Sequence, residues 1–298
     1  MDAAMNGFIG VDWGSTGVRA FRIAPDGTIR DTRRAPDGVF SGSGAFDARL
    51  RALIADWPDA PILLCGMVGS DRGWRMAPYV PAPAGAGEIA AALLRVPFER
   101  PAHIVPGLSF IEGETCEVMR GEEALVLGLL AATGIATATA CLPGTHSKWV
   151  ETAGGCIIRI RTFMTGELRA ALLGRGTLAA GVAQAPSPDA FRQGLAAAAD
   201  GATRALFQAR ARRLLGRLAP EHTAAFVEGV LVGAEIACAA PPAGVPLYLV
   251  ANGALCEAYA AALSAAGIAH SIIDPEPLAA LGLAQLARSL PSPAGGAA

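Results

Sequence analysis

Apolar positions open the chain as a strand-like run that is broken once. In "FIGVDWGSTGVRAFRIA", residues 8–24, strand formers give way to Asp12, Trp13, Gly14, Ser15, Thr16 and Gly17 and then resume. That pattern predicts two strands joined by a tight turn, with Gly14 and Gly17 available for positive φ. A hairpin tip needs only Gly with Asn or Asp, so the extra Ser, Thr and acid are surplus to folding and suit a phosphate cradle. Residues 28–35 read as a third strand, and residues 45–57 have helical spacing with acids and arginines on the outer face. "APILLCGMVGS" then reads as a short buried strand ending in glycines, "GEIAAALLR" as a helix and "AHIVPGL" as a strand. "RGEEALVLGLLAATG" reads as a helix stopped by Gly134.

The pattern then begins again. "TATACLPGTHSKWVETAGGCIIRIRTFM" is strand, polar glycine turn, strand, glycine turn, strand, and its turn of Gly144, Thr145, His146, Ser147 and Lys148 mirrors the first one. Residues 166–240 are mostly helical in pattern, "VPLYLVANGALCEAYAAALSAAGIAHSII" gives strand, helix and strand, and a last helix is expected at 277–290. The tail "PSPAGGAA" has the composition of a disordered end. These elements predict two α/β lobes, residues 1–135 and 136–298, with the last helix able to return to the first lobe. Two polar hairpins at equivalent points make a pair of jaws for a polyphosphate.

Composition narrows the partners. The chain of 298 residues is 52% hydrophobic, much of it alanine, which is enough for two cores. With 24 basic and 26 acidic residues the formal charge is -2, so nothing favours nucleic acid or a membrane surface, and any anion site must be local. The start, MDAAMNG, has an acid where a signal peptide carries Lys or Arg, which points to the cytoplasm. Six scattered cysteines form no CxxC pair and read as buried free thiols. The uncharged run 124–142 has bilayer-spanning length, but Thr133, Gly134, Thr137 and Thr139 within it favour helix, turn and strand.

Several residues carry candidate chemistry. Gly14, Ser15 and Thr16 could give a triphosphate its N–H and hydroxyl donors, and Asp12 at the strand end could hold Mg²⁺ directly or through water. Alone, Asp12 would be an ordinary strand-end acid. Lys148 and His146 lie where a cation could meet a phosphate or an anionic substrate, although a hairpin lysine and a hydrogen-bonded turn histidine are equally simple accounts. Arg120 precedes a helix whose first turn holds Glu122 and Glu123, either dipole partners or the mount for a base that accepts a hydroxyl proton. Glu122 is the first choice for that base, with Asp71 and Glu167 as alternatives. Ser70, Asp71, Arg72 and Trp74 cluster in "GMVGSDRGWRMAPY" as a ligand loop or as plain loop chemistry, and Thr165, Gly166 and Glu167 line a site or cap a helix.

Together, "DWGST" from Asp12, "GMVGS" with "GW" and "APY" following, "MRGEE" from Met119, "PGTHSKW" from Pro143 and "MTGEL" from Met164 resemble the 2-dehydro-3-deoxygalactonokinases. These are sugar-acid kinases of the hexokinase/actin-like ATPase superfamily, and the likeness runs in order from Gly10 to Ala287. It implies a two-lobed α/β, actin-like ATPase (ribonuclease H-like) fold with the active site in the interdomain cleft. It further implies ATP and Mg²⁺ as cofactors, and transfer of a phosphoryl group to the terminal (6-) hydroxyl of 2-dehydro-3-deoxy-D-galactonate in galactonate catabolism. Residues Asp12 to Thr16 would then be the first phosphate motif and Gly144 to Lys148 the second, with adenosine contacts near Asn252, Gly253 and Ala254. Two features depart from the superfamily: the second turn lacks the usual aspartate, and "ANGALCEAY" has only Gly253 where a glycine pair is usual. The cleft segments hold Arg72, Arg120 and Lys148, of which Arg72 is the first choice for a substrate carboxylate, with Ser70, Trp74, Arg120, Thr165 and Glu167 as further substrate contacts. A kinase for another sugar, and a non-catalytic ATP-dependent scaffold, are the competing functions. The partners expected are the sugar acid and, at most, a second copy of the chain.

Overall fold

Phe8–Trp13 (β1) and Val18–Ile23 (β2) pair antiparallel with Asp12 opposite Arg19, and Ile29–Ala35 (β3) adds to β2. The computed structural model describes residues 7–24, 26–41, 45–179, 181–239 and 241–288. The N-terminal stretch read for targeting, the end of the last expected helix and the polar tail lie largely outside them. Phe46–Leu53 (α1) follows, then Ile62–Gly66 (β4), Tyr79–Pro81 (β5), Ala86–Ala91 (α2), Leu94–Val96 (β6) and Ala102–Ile104 (β7). Next come Gly107–Glu112 (β8), Thr115–Met119 (β9) and Glu122–Thr133 (α3). The second half holds Ala138–Leu142 (β10), Ser147–Ala153 (β11), Cys156–Phe163 (β12), Thr165–Gly174 (α4), Pro188–Ala197 (α5), Ala202–Leu214 (α6), Thr223–Ala239 (α7), Leu247–Val250 (β13), Gly253–Ala265 (α8), Ser271–Ile273 (β14) and Pro275–Ala287 (α9).

The chain divides into two compact units. The first runs through Thr137, takes in Val150–Ile160 and resumes at Asp274; the second comprises Ala138–Trp149 and Arg161–Ile273. One sheet has the order β3-β2-β1-β4-β7-β6 and another β12-β11-β10-β13-β14. In each, the third, second and first strands of a repeat lie in that order and parallel strands continue the sheet, β1 to β4 to β7 and β10 to β13 to β14. The repeat seen along the sequence is therefore a repeat of topology. It sets each polar turn at the C-terminal end of a central strand, where open α/β sheets bind ligands.

The run 124–142 is indeed helix, turn and strand: α3 ends at Gly134 with φ 68° and β10 follows. Among the described residues one stretch, Pro220–Ala239, is long and apolar enough to cross a membrane, but 67% of its apolar window is buried inside the protein, as suits a central helix. Alanine and glycine let helices touch backbone to backbone. A Cβ on Gly128 of α3 would stand 1.9 Å from Leu278 O of α9, and one on Gly282 would stand 1.8 Å from Ala124 O. Gly194 of α5 and Gly229 of α7 make a similar contact, each Cβ falling 2.1 Å from a carbonyl oxygen of the other helix.

Three local expectations fail. "GEIAAALLR" is helical only to Ala91, because Leu94 and Val96 pair with Ile104 and Ala102 as an edge strand. "AHIVPGL", expected as one strand, is instead β7 ending at Ile104 and the start of β8, which belongs to a separate sheet, β5-β8-β9, whose hairpin turns at Gly113 with φ 60°. The cysteines are free, but Cys116 and Cys238 are exposed and Cys156 is half-buried, so only Cys65, Cys141 and Cys256 are the buried thiols expected.

Candidate active site

In the first unit, the hairpin tip is built around Gly14, whose N–H donates to Gly17 O at 2.9 Å. Neither glycine has a positive φ, contrary to expectation; the position that demands glycine is Gly38, where a Cβ would fall 2.3 Å from Ser15 O and Thr16 N. The loop around Gly38 packs on the tip, with Val39 N–H donating to Gly14 O and Phe40 N–H to Ser15 O. Arg49 of α1 holds that loop by donating to Asp37 Oδ2 and Gly38 O, both at 2.6 Å, while Trp13 Nε1–H donates to Asp37 O at 3.0 Å. Ser15 and Thr16 thus stand on a braced tip rather than a loose one. Asp12 sits below it, partly exposed, with Oδ2 2.5 Å from the Arg19 guanidinium.

Two further segments converge on Asp12. Gly66, at the end of β4 with φ 89°, lies so close that a Cβ would stand 3.2 Å from Asp12 Oδ1. Gly121, with φ 107°, would place its own Cβ 3.1 Å from Gly66 Cα, bringing the start of α3 to the same corner. The two acids of that helix differ. Glu122 is half-buried and accepts from Arg120 N–H at 3.1 Å, whereas Glu123 is fully buried and accepts from Gly121 N–H at 2.7 and 2.9 Å. Burial first, and the Glu122 charge second, push the Glu123 carboxyl up to about 8. An enclosed acid of that kind is a poor acceptor for a substrate proton, and Glu122 is the reachable one.

The loop after β4 separates its residues by role. Arg72 is exposed with its guanidinium 4.1 Å from the Phe40 ring, so it lies beside the loop that braces the hairpin tip. Asp71 is exposed and Ser70 is buried with Oγ lacking a hydrogen-bond partner. Trp74 instead stacks on Phe46 at 6.3 Å and meets Phe98 edge-on at 6.1 Å, which is packing of the core. Arg120 donates to Ala77 O at 2.8 Å and lies over Tyr79 at 4.4 Å, with Nε and Nη1 buried. Its guanidinium braces the loop from within. Trp74 and Arg120, expected at the substrate, both have packing partners within the first unit, while Arg120 Nε and Nη1 are buried without hydrogen-bond partners.

In the second unit, the Gly144 to Lys148 turn follows β10, and Asn252 and Gly253 follow β13; since β10 and β13 pair in parallel, both segments reach one edge of the sheet. The start of α4 docks on the turn. A Cβ on Gly166 would fall 2.4 Å from Gly144 O, and Glu167 N–H donates to Thr145 O at 2.9 Å. His146 Nε2 lies 2.5 Å from Glu167 Oε2, both side chains half-exposed. Lys148 is only 5% exposed and its Nζ donates to His146 O at 3.2 Å, so it is not a solvent-facing hairpin lysine. Asn252 is the N-cap of α8 with extended backbone and without a side-chain cap bond, and Gly253 has φ 60°. Thr165 neither caps α4, whose N-cap is Met164, nor faces outward; it is buried and donates to Glu235.

Sequence reasoning missed Glu235, Asp37, Gly38 and Arg49. An acid inside the mainly apolar pattern of α7, where Glu228 is the other, was a usable signal for Glu235. Nothing local marked the other three, whose roles come from contacts with the hairpin tip. Among the described residues, no group of three or more His, Cys, Asp or Glu could hold a metal by itself.

A family model described as 2-keto-3-deoxy-galactonokinase matches residues 12–286. A protein of Rhizobium meliloti (strain 1021) named "Probable 2-dehydro-3-deoxygalactonokinase" is 35% identical over 301 residues, covering 95% of this chain and 97% of that protein. The 2-dehydro-3-deoxygalactonokinase of Escherichia coli (strain K12) is 36% identical over 236 residues, 77% of this chain and 79% of that one. The crystal structure of a protein from Sinorhizobium meliloti described as a "putative 2-dehydro-3-deoxygalactonokinase protein" superposes with a TM-score of 0.88 at 34% identity, over 97% of this chain and 98% of that chain. The activator of 2-hydroxyisocaproyl-CoA dehydratase from Clostridium difficile, solved with bound ADPNP, superposes at 0.52 with 10% identity over 95% of both chains, a likeness of fold alone.

Proposed function

The chain belongs to the 2-keto-3-deoxy-galactonokinase family, and from that premise we propose that it transfers the γ-phosphoryl group of ATP to the terminal (6-) hydroxyl of 2-dehydro-3-deoxy-D-galactonate, in the cytoplasm. Its α/β fold is that of the actin-like ATPases. The observation that carries the assignment is the duplicated placement of polar glycine turns at the C-terminal ends of β1 and β10, with Asp12 beside one and Lys148 beside the other.

Ser15 and Thr16 with their N–H groups receive phosphate oxygens on the braced tip, and Gly144 to Lys148 receives others. Asp12 would hold a magnesium ion through Oδ1, since Arg19 takes Oδ2 and one or two carboxylates suffice for Mg²⁺. When bound, Mg²⁺ neutralises charge on the β- and γ-phosphate oxygens. Glu122 orients the sugar hydroxyl and takes its proton as the oxygen bonds to Pγ and the bond from Pγ to the β-phosphate oxygen breaks, leaving ADP. Arg72, exposed beside the tip, pairs with the substrate carboxylate, a task its planar fork suits. Asn252 and Gly253 contact the adenosine.

ATP consumption measured against aldonates, 2-keto-3-deoxy acids and neutral hexoses tests the assignment. ADP release should be fastest with 2-dehydro-3-deoxygalactonate. Faster turnover of a neutral hexose would overturn it.

A further inference from the structure

Glu235 lies in α7 and is 3% exposed, and apart from Thr223 the other buried residues of that helix are apolar. Its carboxylate accepts from three side chains: Trp149 Nε1–H to Oε1 at 2.9 Å, and the Tyr259 and Thr165 hydroxyls to Oε2, the former at 2.7 Å. Tyr259 in turn lies 2.8 Å from Ser147 Oγ. Burial first, and the Glu235 charge second, hold the Tyr259 phenol up, so it stays a donor. A carboxylate out of water is tolerated only where donors replace the solvent. An apolar residue of similar size would serve packing equally well, so the network needs another explanation.

The residues it joins supply one. Ser147 and Trp149 flank Lys148 on β11, and residues two apart share a strand face. Fixing both therefore fixes Lys148 on the opposite face. Thr165 begins α4, whose next residue, Gly166, abuts Gly144 and whose Glu167 N–H bonds Thr145 O. One buried carboxylate thus ties down the strand that carries Lys148 and the helix start that docks on the turn.

We propose that Glu235 is a positioning residue for phosphoryl transfer, holding the Gly144 to Lys148 turn in register through Trp149 and Thr165, and through Tyr259 to Ser147. This rests on the assignment of that turn to the phosphates of ATP. Satisfied buried networks specify one geometry, and a preset turn spends no binding energy on ordering itself when ATP arrives.

Glu235→Gln tests the charge with little change of shape. Its amide oxygen can still accept from Trp149, but its NH₂ then meets two hydroxyls that must turn round to accept. KM for ATP should rise about 10-fold and kcat fall about 10-fold, with KM for the sugar acid changing less than about 2-fold. Tyr259→Phe and Thr165→Val, which each remove one donor, should show the same pattern more weakly. Combined with Glu235→Gln, either should add less than its separate effect, and these two variants carry the test if Glu235→Gln does not fold. Activity that falls only with the folded fraction measured by thermal denaturation, at unchanged KM for ATP, would make Glu235 purely structural and overturn the proposal. Lys148→Ala separates the two levels. A raised KM for ATP there, with none in the network variants, rejects positioning by Glu235, whereas an unchanged KM in Lys148→Ala removes the assignment of the turn itself.

Discussion

Replacing Glu123 with Gln should protect the protein against unfolding at pH 8 and weaken it by about 1–3 kcal/mol near pH 4. The Glu123 carboxyl is fully buried at the start of α3, and its pKa is raised from 4.5 to about 8 by burial and by Glu122. A raised acid pKa means that the folded state keeps its proton while the unfolded chain has lost it. The stability is therefore complete below pH 4.5 and declines as pH climbs towards 8. With about 1.4 kcal/mol per pKa unit, the loss is about 3 kcal/mol at pH 7 and about 4 kcal/mol at pH 8. Gln has no such term. Its carbonyl can still accept from Gly121 N–H, but its buried NH₂ lacks a partner, which costs about 1–3 kcal/mol at every pH. The net gain at pH 8 should be about 2 kcal/mol, and the difference between variant and parent should slope upward from pH 5 to 8. Urea unfolding free energies of both proteins across that range give the difference, since titrating groups that do not interact with Glu123 cancel. A flat difference, or one that favours the parent as pH rises, would refute the assignment of Glu123 as a neutral buried acid.

Other outcomes follow from the same corner of the first unit. Asp12→Asn should fold normally and lose most of its turnover, checked by steady-state kinetics over a Mg²⁺ titration; near-normal kcat at ordinary Mg²⁺ would remove Asp12 from the metal. Glu122→Gln should lower kcat by about 10²-fold or more with little change in substrate binding, while Glu123→Gln stays near the parent at neutral pH; the reverse order in single-turnover assays would move the base to Glu123. Arg72→Ala should raise KM for the sugar acid by about 10²-fold and leave KM for ATP nearly unchanged, and a rise for ATP alone would make Arg72 a phosphate ligand.

The parts of the molecule written in local periodicity were legible. The β1–β2 hairpin, its repetition at β10 and β11, the helical middle and the helix, turn and strand over residues 124–142 follow from alternation, glycine stops and β-branched runs. Features decided by distant partners were not. Leu94 to Val96 carries a helical pattern until the edge of β7 recruits it, and the β8–β9 hairpin was hidden by the break at Pro106. At the site, residue types at the turns were visible, but which face each side chain takes was not. Trp74, Arg120 and Thr165 turn inward to partners far along the chain, Phe46, Ala77 and Glu235, whereas Arg72 stays out. The glycine that the tip requires is Gly38, more than twenty residues beyond it, because the constraint is the approach of a second loop.

The most direct test of the central claim is to incubate the protein with ATP, Mg²⁺ and 2-dehydro-3-deoxy-D-galactonate and to locate the phosphate in the product by ³¹P and ¹H NMR. The account predicts one ADP formed per sugar acid consumed and a phosphate ester on the terminal (6-) oxygen. ADP formation independent of the sugar acid, or a phosphate ester at another position, would contradict it.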